Sequence, residues 1–408
     1  MTGETLAPDS VAGAAARPLS AYVAVGAELI NFTLDGETGA LRRRGSIRLP
    51  SRIQYAWPHG KLPILYVACA DRAPGADGQP FYLCALTRDD LGDCTLLGEP
   101  ALLPARPIDL TVAPDDRFVL TAYSQPAAVT VHRLAVDGSL DGEVVQEAAF
   151  AVGSAPHQVK VMPSGDRVVI CARGKKGFGK DSYVSGSLEL LSFADGQLAH
   201  AGSVIPELPR GFNPRALEFH PDHPLVYVAL EEQSQLCVLP REGDSIGDEA
   251  LHLLETLAEP DNRRPRQDGG AIHLHPAGHT VYVGNRNDGY VGGQSGPSWL
   301  VPDPVPVFAG GENSIAVFAL DPATGAPRAA GHAPSGGLHP RTFAPTPDGR
   351  WLIVANLAPT IVADADGRLT EVPANLTVFA VGDDGLLTED SRQDIDVAGE
   401  MIWWMGLA

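Results

Sequence analysis

The chain reads as an all-β protein, a seven-bladed β-propeller of four-stranded antiparallel blades. Two recurring phrases and an unpaired C-terminal segment carry that reading. The first phrase is a short apolar strand closed by an acidic or glycine-bearing turn. It occurs seven times: 29–34 before Asp35-Gly36, 81–86 before Asp89-Asp90, 129–134 before Asp137-Gly138, 188–193 before Asp195-Gly196, 236–239 before Glu242-Gly243, 315–320 before Asp321, and 376–381 before Asp383. A strand-only unit repeated at roughly 50 residues indicates radial assembly.

The second phrase is strand, proline-led turn, strand. Copies surround Pro114, Pro163, Pro221, Pro276 and Pro347, with a weaker one at 54–60. Proline presets the turn's φ, and the Gly or Asp that follows tolerates the tight corner. Alternating β-branched and aromatic residues after each turn suit half-buried strands. Each blade therefore runs inner strand, second strand, connection, third strand, short turn, outer strand.

This count leaves six inner hairpins for seven third strands. Tyr22-Val23-Ala24-Val25 has the pattern of a second strand without an inner partner, and the apolar run 401–405 has no partner of its own. The run is expected to become the inner strand of the first blade, closing the ring and removing exposed sheet edges.

The repeat spans the chain, so 20–408 is expected to be one domain, preceded by a flexible tail at 1–19. That tail is rich in Ala, Gly, Pro and Ser and has no apolar core of a signal peptide. No apolar stretch approaches the ~20 residues that span a bilayer. Cys69, Cys84, Cys94, Cys171 and Cys237 lie mostly inside strands without metal or disulfide spacing, as free thiols of a cytoplasmic protein would. A net charge of −20 excludes nucleic acid as a partner. The expected partner is a small anionic substrate, and the protein is expected to be a monomer or small homo-oligomer. There is no Gly-x-Ser-x-Gly elbow for a serine nucleophile, and 174–179 is glycine-rich but opens no helix.

Propeller topology places the start of each inner strand on the same face as the end of each second strand. Inner strands begin at His157, Arg215 and Arg341, with His339 just upstream. Second strands end at Arg173, Glu231, Glu232, Arg286 and Asn356, with Asn285 beside Arg286. All are expected at one mouth of the central channel. Several guanidiniums in an otherwise acidic protein suit a carboxylate or phosphate, which the Arg fork binds in bidentate fashion. The bland counterpart is that these arginines pair with carboxylates of adjacent blades and lock the ring. The long connections 174–183 and 287–313, the second holding Tyr290, Trp299 and Phe308, leave from the same face and could cover the mouth. His273 and His275 share a strand but approach the opposite mouth without a third ligand, so neither metal nor cofactor is expected.

Pro156-His157-Gln158, Asn213-Pro214-Arg215, Tyr227 to Glu231, Tyr282 to Arg286 and His339-Pro340-Arg341 together resemble the seven-bladed lactonase family. That family includes propeller-type 6-phosphogluconolactonases and carboxy-cis,cis-muconate lactonizing enzymes. In the lactonizing branch the resemblance implies a site of His157, Arg215, Glu231 and Arg286. Two departures stand out: Leu230-Glu231 replaces the family's Asn-Glu pair, and the insertion after Arg286 is long. Opening a lactone needs a water, a base (His157 or Glu231) and an oxyanion holder (Arg286 or Arg215), with Arg341 on the substrate's acidic tail. The same groups could close a lactone on a carboxymuconate-type acid. A non-catalytic propeller that presents one face to proteins is the contrasting class.

Overall fold

A computed structural model describes residues 19–71, 80–175, 184–292 and 302–408. The tail 1–18, most of the loop 174–183 and Trp299 lie outside the described residues. Seven antiparallel sheets follow one another around the ring. Around the ring their inner strands are Ile402–Leu407, Ile53–Pro58, Pro107–Val112, Pro156–Val161, Pro214–Phe219, Gln267–Leu274 and Pro340–Pro345. These belong to blades 1 to 7.

Closure occurs as the sequence predicts. Ile402–Leu407 pairs antiparallel with Leu19–Val25, which leads into Glu28–Leu34 and the outer strand Leu41–Arg48. The first blade is thus assembled from both ends of the chain. The sequence reading missed a two-stranded hairpin, Thr360–Ala363 with Leu369–Val372, between the second and third strands of blade 7.

The apolar core divides into seven clusters, and each fills one interface between neighbouring blades. Second strands are buried on both faces; Leu225–Leu230 is buried at every position. Sheets stacked face to face around an axis require this.

A recurring hydrogen bond also stitches the interfaces and explains the repeated turn glycines. Tyr22, Tyr66, Tyr227 and Tyr282, all on second strands, donate their hydroxyls to the carbonyls of Gly92, Gly138, Gly325 and Gly385 in the next blade's turn. Trp351 Nε1 does the same to Gly36 across the closing interface. Gly385 has φ 79°, and a Cβ there would lie 2.2 Å from Thr280 Oγ1. Tyr282→Phe is therefore expected to cost about 1–2 kcal/mol in urea unfolding, because it orphans a buried carbonyl. An unchanged midpoint would refute the stitch.

Candidate active site

Register equivalence builds the site. Ala172, Leu230 and Asn356 each pair with the first residue of their blade's inner strand, and Asn285 pairs with Gly269, the third of its own. The next position is Arg173 in blade 4, Glu231 in blade 5 and Arg286 in blade 6. Three successive blades thus place Arg, Glu, Arg side by side on the channel. Glu231 accepts hydrogen bonds from Arg173 Nη1 at 2.7 Å and from Arg286 Nη2, and Arg215 Nε lies 3.5 Å from the same carboxylate. Only 5 % of the Glu231 side chain is exposed. Burial pushes its carboxyl up, but Arg173, Arg286 and Arg215 outweigh burial and hold it well below the ordinary range.

A second regularity supplies the remaining polar groups. At the start of six inner strands, and midway along that of blade 6, the pairing slips to accommodate one extra residue. A β-bulge of this kind re-aims a side chain. The bulged residues are Trp403, Gln54, Ile108, His157, Arg215 and Arg341, with the Gly270-Ala271 pair in blade 6. All but Gly270 line the channel.

The arginine layer divides that channel into two chambers. The outer one, about 860 Å³, opens on the mouth and is lined by Arg173, Glu231, Glu232, Arg286, His339 and Arg341, among others. The inner one, about 350 Å³, is lined by His157, Arg215 and Arg341 at one end and by aromatic and aliphatic side chains beyond. Arg341 borders both. It donates Nε to the carbonyl of Trp403 at 2.9 Å and stacks 3.6 Å from the centre of that indole.

Most of the residues expected at the mouth converge there, with four corrections. Arg215 lines the inner chamber and not the outer one. His157 likewise lies one layer deeper, because its bulge turns it along the channel wall. It remains within reach of the charges on Arg215, Glu231, Arg173 and Arg286, and burial followed by Arg215 keeps its imidazole neutral, well below the usual range. Asn285 and Asn356 do not line the channel. Strand alternation points them away from it, where Asn285 Nδ2 bonds Ser314 Oγ at 3.1 Å and Asn356 Nδ2 bonds Asn375 Oδ1 at 2.8 Å. His339 sits at the outer wall with φ 54°, a conformation shared by Ala155 ahead of the inner strand of blade 4. Its Nδ1 is 3.9 Å from Asp288 Oδ2.

Sequence reasoning missed Arg266, Asp268, Asp288 and Lys175, which also line the outer chamber. Arg266 clamps Asp288 through two bonds of 2.7 Å. Asp288 stands two residues beyond Arg286 on the same strand side, so period-two spacing could have found it; Arg266 lies on a connection and carries no such signal. The described parts of the insertion after Arg286, 287–292 and 302–313, are anchored: Tyr290 bridges Phe308, and Val307 bridges Ile361 of the blade 7 hairpin. His273 and His275 stay apart in role. His275 accepts from Ala277 N and contacts the Gly349 carbonyl, while His273 lies 3.6 Å from Glu218.

With ring, bulges and arginine layer established, the comparisons with known proteins are decisive. The family described as Lactonase, 7-bladed beta-propeller, matches residues 19–378. The chain belongs to this lactonase family. A curated relative, the 6-phosphogluconolactonase of Bacillus subtilis (strain 168), is 26 % identical over 363 residues, which cover 88 % of this chain and 94 % of the relative. The 6-phosphogluconolactonase of Formosa agariphila is 32 % identical, but only over 133 residues, 31 % of each chain. Among solved structures, the periplasmic gluconolactonase of Pseudomonas aeruginosa superposes with a TM-score of 0.71 at 20 % identity, covering 95 % of this lactonase-family chain and 98 % of that one. A protein from Lactobacillus plantarum gives 0.69 at 19 % identity, with 96 % and 99 % covered. At these identities the structural likeness speaks for the fold.

Proposed function

We propose that this lactonase-family chain hydrolyses a lactone bearing an acidic group, of the sugar-acid or phosphorylated-sugar kind. The observation that carries the reading is a charge imbalance at the constriction: one buried carboxylate, Glu231, serves three guanidiniums beside a neutral imidazole. Glu231 is ionised and fully engaged, which makes it the organiser of the arginines and a poor proton acceptor. His157 is the base. It takes a proton from water as the oxygen adds to the lactone carbonyl carbon. The carbonyl electron pair moves to oxygen, where Arg215 or Arg286 stabilises it. The ring C–O bond then breaks, and the leaving alkoxide recovers the proton from His157. Arg173, Arg341 and His339 face the substrate's acidic tail, and Glu232 borders the same chamber.

The names of the curated relatives favour ring opening over lactone closure. The five cysteines are free, which supports the cytoplasm as the compartment. Among the described residues no helix is long and apolar enough to cross a membrane.

The test is pH-stat hydrolysis of 6-phosphogluconolactone and glucono-1,5-lactone at neutral pH, corrected for spontaneous opening. Arg286→Ala should lower kcat/KM by roughly 10²–10³-fold, as removal of an oxyanion donor does. His157→Gln should lower kcat by roughly 10²–10⁴-fold and leave KM nearly unchanged. Undiminished turnover in both variants would remove these assignments.

A further inference from the structure

The inner chamber has a chemistry that sugar-lactone hydrolysis does not use. Its walls are Tyr55, Trp57, Ile108, Phe343 and Trp403, and it runs toward the face of the inner hairpin turns, where Pro58 and Pro345 line it. A polyol would need hydrogen-bonding partners along these walls, and four of the acceptors there are already engaged. Three of them follow the bulge in their strand and latch the next blade or a neighbour. Asp109 accepts from Val159 N at 2.9 Å, Gln158 from Leu217 N at 2.8 Å, and Thr342 from Met405 N at 3.0 Å. Gln54 Oε1 is taken by Arg106 at 2.6 Å.

The roof is different. Arg215 is only 6 % exposed, and its Nε has no hydrogen-bond partner. It shares Glu231 with two other arginines, while Arg341 bonds a backbone carbonyl and stacks on Trp403. Asp109 cancels only part of this charge, because burial raises its carboxyl to about 7. The chamber therefore joins largely aromatic and aliphatic walls to an under-compensated guanidinium pair. Its volume of about 350 Å³ is at the small end for ligand sites and admits a bicyclic ring.

We propose that the inner chamber binds an aromatic monocarboxylate, with the ring among Trp57, Phe343 and Trp403 and the carboxylate on Arg215 and Arg341. The bound acid occupies the side of the constriction that holds His157, so it inhibits lactone opening. Only this last consequence rests on the proposed hydrolysis; binding itself does not.

The experiment titrates the full chain with 2-naphthoate by calorimetry and by tryptophan fluorescence. Controls are 2-naphthamide, which keeps the ring without charge, and gluconate, which keeps the charge without the ring. The expected result is saturable, one-to-one binding of 2-naphthoate, at least about tenfold tighter than either control. Ile108→Trp, which fills the chamber from a channel-facing position, should weaken binding at least about tenfold; Ala344→Leu serves as a second obstruction if the first variant fails to fold. Equal binding of the amide or of gluconate, or undisturbed binding in a folded obstructed variant, overturns the proposal. Binding without inhibition of lactone opening would instead count against the proposed placement of the base.

Discussion

Removal of residues 401–408 is expected to abolish cooperative unfolding. The segment supplies the whole inner strand of blade 1, and without it Leu19–Val25 presents an unpaired edge to the channel. Ile402, Trp404 and Met405 are 0 %, 5 % and 2 % exposed, and Met401 is 3 % exposed. Ile402 and Met405 pack into the seam where blade 7 meets blade 1, and Trp404 into the seam with blade 2. At about 1.5–3 kcal/mol for each large apolar side chain, their loss approaches the ~5–15 kcal/mol that holds an entire domain. The truncated chain should give no sigmoidal transition in thermal circular dichroism. A melt that overlays the parent's would contradict ring closure by this strand. Ile402→Ala is the milder version, with an expected cost of about 2–5 kcal/mol.

Glu231→Gln should be the most damaging single substitution at the site. It leaves Arg215 and Arg286, whose side chains are 7 % and 9 % exposed, without their shared counter-charge. Breaking a buried pair from one side costs about 3–5 kcal/mol. The lower end applies here, because Arg173 is 40 % exposed and water screens its share. The acid limb of the stability profile should change as well. Glu231 has its folded-state pKa depressed, so the parent holds this contribution above the unfolded pKa near 4.5 and loses it as pH falls through the folded value. The variant lacks the contribution at every pH, so the two unfolding curves should converge on acidification. Parallel curves between pH 6 and pH 3 would show that Glu231 is not the ionised centre of the cluster. Turnover should fall by about 10²-fold or more, since the guanidiniums lose the group that aims them.

The propeller was legible because its signals are local and repeated. Proline and glycine turns act through φ alone, and each copy reinforces the others. The unpaired apolar run 401–405 announced closure for the same reason: a strand of that character needs a sheet. Convergence of Arg173, Arg215, Glu231, Arg286 and Arg341 followed from topology, since strand ends in a ring share a face whatever their distance in the chain. Asn285 was misplaced because one residue along a strand reverses the direction of a side chain, and a motif read as a block ignores that reversal. Asn356 occupies the equivalent register and failed for the same reason.

By itself, then, the sequence determined blade number, strand order, the closing segment and the face on which the charged residues gather, all consequences of short-range backbone preferences summed over seven copies. The tertiary structure alone decided that six of the inner strands bulge at their second residue, that His157 and Arg215 thereby turn into an inner chamber, and that three arginines converge on one carboxylate. A bulge is set by how one strand registers against another, and a charge cluster by which blades touch. Neither is encoded within the span of a single repeat.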